Sequence, residues 1–283
     1  MKHIFERRLG FYPTFFDQEG TLYSNTKYGD YPMIIPAKKI ENPDDISPGW
    51  MLLSYNKKVD VSSSIDSLPP INMVDEDIRT YWSARTGNAN EWASLDLGEL
   101  YDVYAVQLNF AEHDTEIFGR DADLAHQYQL EYSKDNSNWE LITDMAANQS
   151  DHTHNYFQFK QNIPSRYLRV KNIKVPMGDF AISGFRVFGK GHGEKPEMVR
   201  NLQVNRDSND RRTAHLSWDT SISATGYTVS YGTQKDKLYQ SYIVFQNNTL
   251  TINSLDISQA YYITIEAFNE NGITYSKTIV ETE

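Results

Sequence analysis

Apolar and polar side chains alternate through much of this chain, with the two-residue period of strands that bury one face. From Glu91 to Leu97 the run reads Glu-Trp-Ala-Ser-Leu-Asp-Leu, and Gly98 ends it. Further strand patterns are YDVYAVQLNF at 101–110, YQLEYS at 128–133, YFQF at 156–159, RYLRVKNIKV at 166–175 and FAISGFRVFG at 180–189. Turn formers such as Lys134-Asp135-Asn136-Ser137-Asn138 lie between them, which predicts antiparallel strands joined by hairpins and longer loops. No segment of useful length carries a helical period.

Gly and Pro punctuation divides the chain into three parts. Residues 1–50 contain short strand-like runs separated by turns, too little chain for a core of their own. Residues 51–190 hold the strands above. A hinge follows at Gly189-Lys190-Gly191-His192-Gly193-Glu194-Lys195-Pro196, with 191–195 as linker. Beyond it RNLQV, AHLSW, GYTVSYG, YIVF, LTI and YYITIEAFN recur at the tight spacing of an immunoglobulin-like sandwich over 196–283. The expected fold class is all-β, two sandwiches in tandem.

Specific motifs sharpen this. Pro196, Leu202-x-Val204, Leu216-x-Trp218, Gly226-Tyr227-x-Val229-x-Tyr231, Leu255 six residues before Tyr261, and ITIEAFNENG resemble a fibronectin type III domain. That resemblance implies Trp218 between the sheets and Tyr261 as a corner tyrosine bonded to nearby backbone. VDEDIRTYWSA at 74–84, EWASLDLG at 91–98, VYAVQLNF, YQLEYSKDNSNWELI at 128–142, RYLRV at 166–170 and AISGFRVFG at 181–189 resemble the discoidin family. This is the coagulation factor 5/8 type C domain, which includes the family 32 carbohydrate-binding modules. It implies a jelly-roll sandwich in which Trp82 and Trp92 are core residues. ERRLGFYPTFFDQEGTLYSNTKYGDYP at 6–32 resembles the last propeller strands of family 43 glycoside hydrolases. The catalytic carboxylates of such enzymes lie in earlier blades, so the resemblance implies a chain without catalytic residues.

Composition narrows the partners. At 283 residues the chain has room for two domains, or two plus a fragment. A net charge of −11 without a Lys/Arg cluster argues against nucleic acid. There is no cysteine, which excludes disulfides, cysteine-based zinc sites and thiol nucleophiles. No run of about 18 apolar residues offers a membrane span. Met1–Arg8 lacks the apolar run of a signal peptide. The resemblance to secreted modules nonetheless implies an extracytoplasmic protein of a bacterium: periplasmic, cell-surface or secreted.

Three stretches carry candidate chemistry. By the discoidin resemblance, NMVDEDIRT at 72–80 is where a structural Ca2+ would sit, with Asp75, Asp77 and Thr80 as ligands and Asn72 offering its carbonyl. The family's further carboxylate in a Ser-Glu pair of the last strand is replaced here by Ser183-Gly184. That leaves a weaker site, a substitute oxygen, or a loop closed without metal. The loop 111–127 contains His113, Asp114, Phe118 and Arg120, the mixture of planar polar groups and an aromatic face that suits a sugar ring. Equally it could pack under itself or against a catalytic domain. Asp151, His154 and Tyr156 are further candidate sugar contacts or loop-locking groups, and His152 and His154 stand two apart, as a shared metal would require. Among 38 carboxylates no pair has a framework that makes it catalytic.

The expected function is a non-catalytic carbohydrate-binding and spacer region, the C-terminal part of a secreted glycoside hydrolase, with a polysaccharide or glycan as partner. The alternative is a structural region that steadies an upstream catalytic propeller. Burial of Tyr12, Phe15, Phe16, Tyr28 and Tyr31 against residues 51–190 would favour the alternative.

Overall fold

The computed structural model describes residues 12–28, 30–40, 43–115 and 124–282. They begin with a hairpin of β1 (Thr14–Phe16) and β2 (Leu22–Ser24). Next come β3 (Met51–Leu52), β4 (Lys58–Val61), β5 (Trp82–Ser83), β6 (Trp92–Phe110), β7 (Gln127–Ser133), β8 (Trp139–Asp144), β9 (His154–Lys174) and β10 (Ala181–Lys190). The rest are β11 (Gln203–Arg206), β12 (Ala214–Ser217), β13 (Gly226–Gly232), β14 (Gln240–Phe245), β15 (Thr249–Ile252), β16 (Tyr261–Asn269), β17 (Gly272–Thr274) and β18 (Val280–Thr282). Two short 3-10 turns, Pro43–Ile46 and Pro70–Met73, are the helical segments among the described residues. The protein is all-β, and no helix among those residues is long and apolar enough to cross a membrane. The described residues form two compact units, one within 52–191, the other joining those of 12–51 with 192–282.

In the first unit the strand order is β3-β10-β6-β9-β7-β8, with β4 on β6 and β5 on β10. The runs at 91–98 and 101–110, expected as separate strands, belong to one strand, β6. Gly98 bends it at φ +91° instead of ending it. The ladder shifts register between Asp96 and Tyr101, so each half keeps its own partners: Ala93–Asp96 face β4, and Asp102–Phe110 face β10. The runs at 156–159 and 166–175 likewise fuse into β9.

Alternation then fills the core. Leu95 and Leu97 are fully buried, while Asp96 between them turns outward, where Arg166 donates to its two carboxylate oxygens at 2.8 and 3.0 Å. Leu108, Leu130, Leu168, Val170, Phe185 and Val187 complete the interior, each contributing about 1.5–3 kcal/mol by burial. Trp82 is wholly buried with its ring edge-on to Phe180 at 5.7 Å. Trp92, expected in the core, is only half-buried, because it opens β6 at the sheet margin opposite Lys171.

The second unit contains two antiparallel sheets, β11-β12-β15 and β14-β13-β16-β17, with β18 on β16. Trp218 lies in its core, edge-on to Tyr227 at 5.3 Å, and the Asp256 N–H donates to the Tyr261 hydroxyl at 2.9 Å.

The N-terminal segment docks on this unit. A two-strand hairpin is marginal alone, and here one face of β1 and β2 is covered. Tyr23 pairs with Phe15 across the hairpin and stacks on Tyr239 at 3.9 Å. Tyr28 meets Phe268 edge-on and accepts a hydrogen bond from Thr228 at 2.9 Å. The Lys27 ammonium lies 2.7 Å from the buried carboxylate of Glu266. These aromatic residues thus find their partners in the C-terminal strands, whereas Tyr12 and Phe16 are exposed.

Candidate cavity at the loop end of the first unit

Three connections converge beyond the ends of β6, β7, β9 and β10. The first is 111–115, which leaves β6. The second is 145–153, between β8 and β9. The third is 175–180, between β9 and β10. Gly178 joins the first and third: its φ is +77°, and an added Cβ would stand 2.2 Å from the His113 carbonyl oxygen, so only glycine allows the two backbones to lie this close. The Asp179 N–H donates to that same carbonyl at 3.0 Å. The Asn148 side-chain amide ties the second connection to the start of β7 by donating to the His126 carbonyl at 3.0 Å.

Between these connections lies a cavity of about 210 Å3, lined by Ala111, Glu112, Thr115, Leu124, His126, Asp151, Thr153, Pro176, Met177 and Asp179. His126 is 7% exposed and lies face to face with Phe110, ring centroids 4.2 Å apart. Its Nδ1 is buried with no hydrogen-bond partner among protein atoms. Burial pushes its pKa down to about 4, so the ring is neutral at physiological pH. Buried polar atoms are normally satisfied. The His126 Nδ1, closed to solvent as well, is an exception to that rule.

The expected sugar contacts divide by location. Asp151 is exposed on the cavity wall. His113 stands behind it, its Nδ1 3.0 Å from the Tyr81 hydroxyl and its Nε2 3.9 Å from a carboxylate oxygen of Asp179. Asp114 takes φ +51° against the Gly178 loop. His154 and Tyr156 instead lie along β9 paired with Asn109 and Gln107 of β6, and neither is among the lining residues. His154 Nδ1 is 3.0 Å from Asn109 Oδ1, and the Tyr156 hydroxyl donates to Gln158 at 3.1 Å. Phe118 and Arg120 lie outside the described residues. His126, Glu112 and Asp179 were not singled out in the sequence. The available signal was position: His126 immediately precedes β7 and Asp179 nearly precedes β10, where side chains at sheet ends face the connecting loops.

The loop 72–80 supplies a partial set of hard oxygens. Asp75 Oδ2 accepts from the Thr80 hydroxyl at 2.7 Å, and Thr80 Oγ1 lies 3.0 Å from the Asp77 carbonyl oxygen. The second Asp75 oxygen accepts the Asp77 N–H, and the Asn72 side chain is turned to the Tyr81 carbonyl. Three converging oxygens fall short of the about six to eight that Ca2+ takes. No carboxylate can come from Gly184, where an added Cβ would meet the Asn109 amide at 2.7 Å. Glu76 is committed to Arg186. Among the described residues no three His, Asp or Glu side chains are placed to hold a metal ion, His152 and His154 included.

Geometry of this kind defines a β-sandwich that presents a small polar cavity at one end. Residues 58–184 match the F5/8 type C domain. Solved structures similar to this chain include chitosan-binding module 1 from a chitosanase/glucanase of Paenibacillus sp. IK-5, at 23% identity and a TM-score of 0.40, covering 49% of this chain and 99% of that one. Another is the family 32 CBM from C. perfringens NanJ in complex with galactose, at 15% identity and a TM-score of 0.40, covering 49% and 98%. A Streptococcus pneumoniae fucose binding module shows 16% identity and a TM-score of 0.39, covering 51% and 99%. No curated protein matches the chain.

Proposed function

We propose that this chain is a non-catalytic carbohydrate-binding and spacer region of a secreted bacterial glycoside hydrolase, its sugar site being the cavity around His126. The observation that carries the reading is the polar cavity at the loop end of the sandwich, with Glu112, Thr115, Asp151, Thr153 and Asp179 on its wall. Glu112, Thr115 and Asp151 offer hydrogen-bond partners for sugar hydroxyl groups. The match of residues 58–184 to a domain family that includes sugar-binding modules supports it. Tethering to polysaccharide raises the substrate concentration near a linked active site, so weak affinity at one site suffices. The C-terminal sandwich acts as the spacer. Glycan-array screening and calorimetry on the whole chain test this: binding that is lost in Asp151→Ala supports it, and no binding to any saccharide at millimolar concentration refutes it. No turnover of aryl glycosides is expected.

A second reading, in which the region orients an upstream catalytic domain, draws on the N-terminal segment. That segment is held on the C-terminal unit by Tyr23 of the hairpin and by Lys27 and Tyr28 beyond it. A chain arriving from an upstream domain would thereby be clamped where it enters. We also propose that Asp75, Asp77 and Thr80 hold Ca2+ weakly, with water completing the shell.

A further inference from the structure

We propose that the outer face of the sheet β14-β13-β16 is a recognition surface for residues 17–28, and that it accepts this segment from a second copy of the chain as well as from its own, giving an exchanged dimer. β13 is buried along its whole length. Tyr227, Val229 and Tyr231 point into the sandwich core, and alternation turns Thr228 and Ser230 outward, yet these two are 0% and 1% exposed. The outer face of an antiparallel sheet commonly meets water. Here the N-terminal segment covers it. Tyr28 accepts a hydrogen bond from the Thr228 hydroxyl at 2.9 Å and meets Phe268 edge-on. Lys27 pairs at 2.7 Å with Glu266, the residue opposite Thr228 on β16. Thr26 Oγ1 lies 2.9 Å from the Oγ of Ser241, which stands opposite Ser230 on β14. Just before β14, Lys237 and the Tyr239 hydroxyl hold the Asp17 carboxylate at 3.0 and 2.9 Å.

All of these contacts are made by side chains. β1 and β2 pair only with each other, and among the described residues no backbone hydrogen bond joins 12–28 to 192–282. Hydroxyl and charged pairs exchange with water far more readily than a continued β-ladder does, so the segment is detachable. Its charges fix which surface it fits: anionic Asp17 against Lys237, cationic Lys27 against Glu266. The segment and its receptor are joined through residues 52–191, a unit with a core of its own. Effective concentration, not a short connecting loop, therefore decides which copy supplies the segment. Two copies present the same segment and the same face, and reciprocal exchange keeps every contact, the self-complementarity that a two-fold dimer requires.

The chain has no cysteine, so a cross-link reads the exchange directly. Whole chains carrying Thr26→Cys are co-refolded at high protein concentration with chains carrying Ser241→Cys, then oxidised. The mixed disulfide between the two copies should form about tenfold more than when Ser137→Cys, an exposed position in the turn between β7 and β8, replaces Ser241→Cys. Equal yields overturn the proposal. A charge reversal supplies the second arm. Lys27→Glu and Glu266→Lys each set like charges together within one chain, and both changes in the same chain restore the match. That double variant should be monomeric. In an equimolar mixture of the two single variants only reciprocal exchange restores both matches, so light scattering should give twice the monomer mass. A mixture that stays monomeric, or a dimer that forms equally in either single variant alone, overturns the proposal.

Discussion

Gly178 and His113 lie so close that a methyl group on the glycine would stand 2.2 Å from the histidine's carbonyl oxygen. This contact fixes one wall of the cavity to another. Gly178→Ala must both strain a left-handed backbone and push the loops apart. We expect a loss of about 1–3 kcal/mol in urea unfolding of the whole chain, together with weakened saccharide binding. Unchanged stability and binding would show that the wall tolerates displacement.

The buried pair of Arg186 and Glu76 offers a second test. Arg186 donates to both Glu76 oxygens, at 3.0 and 2.8 Å, and to Gln107 at 3.1 Å, with its guanidinium over the Phe188 ring. Glu76→Gln leaves a buried guanidinium without its counter-charge and should cost about 3–5 kcal/mol. The double change Glu76→Gln with Arg186→Met should cost much less than the sum of the single changes. A denaturation-based double-mutant cycle measures the difference, and additivity would refute coupling.

His126 makes stability depend on pH. Its folded pKa, near 4, lies below the ordinary value of about 6.5. The unfolded chain therefore takes up a proton that the folded chain refuses, and stability falls as pH drops from about 6.5 toward about 4. The loss is about 3 kcal/mol at most. His126→Gln should flatten this part of the stability–pH curve, and NMR titration of the ring should show a neutral imidazole down to about pH 4.

Calcium should have a small effect. A site of few protein oxygens stabilises only when the ion approaches its dissociation constant. Adding 10-fold that concentration contributes about 1.4 kcal/mol, and Asp75→Ala should abolish the increment in thermal melts. A large loss of stability with a chelator would instead indicate a tight structural ion.

Docking of the N-terminal segment rests on several polar contacts, among them Asp17 with Lys237 at 3.0 Å and with the Tyr239 hydroxyl at 2.9 Å, Thr26 with Ser241 at 2.9 Å, Lys27 with Glu266 and Tyr28 with Thr228. Tyr28→Phe removes the hydroxyl that accepts from Thr228 and should cost about 0.5–1.5 kcal/mol in the C-terminal transition. Lys27→Met should cost more, because Glu266 is 8% exposed and loses its counter-charge. Equal effects would mean that Glu266 is solvated.

Much of the fold was legible in the chain. Alternation identified the strands, as in Leu95-Asp96-Leu97, because side chains on a pleated backbone alternate between faces. The hairpin turn at Lys134–Asn138 was equally readable, since Asp135 accepts backbone N–H groups of Ser137 and Asn138 and so closes the turn locally. What failed depended on distant partners. Gly98 reads as a strand end by its own chemistry, yet β4 and β9 hold the chain extended on both sides of it. Tyr23 and Tyr28 gave no sign that their partners lay some two hundred residues away.

The candidate site followed the same division. Sequence composition marked the acidic loop after β6 and placed Asp151 and His113 among the candidates, because polar loops at strand ends are where binding groups collect. It equally marked His154 and Tyr156, which pair along β9 with Asn109 and Gln107. Only the packed structure could separate these sets. Whether a side chain faces a cavity or a neighbouring strand is set by register and by contacts far along the chain. The same packing buried His126 on Phe110 and left its Nδ1 without a partner: the local sequence determined that an imidazole stands before β7, and the tertiary structure determined what that imidazole lacks.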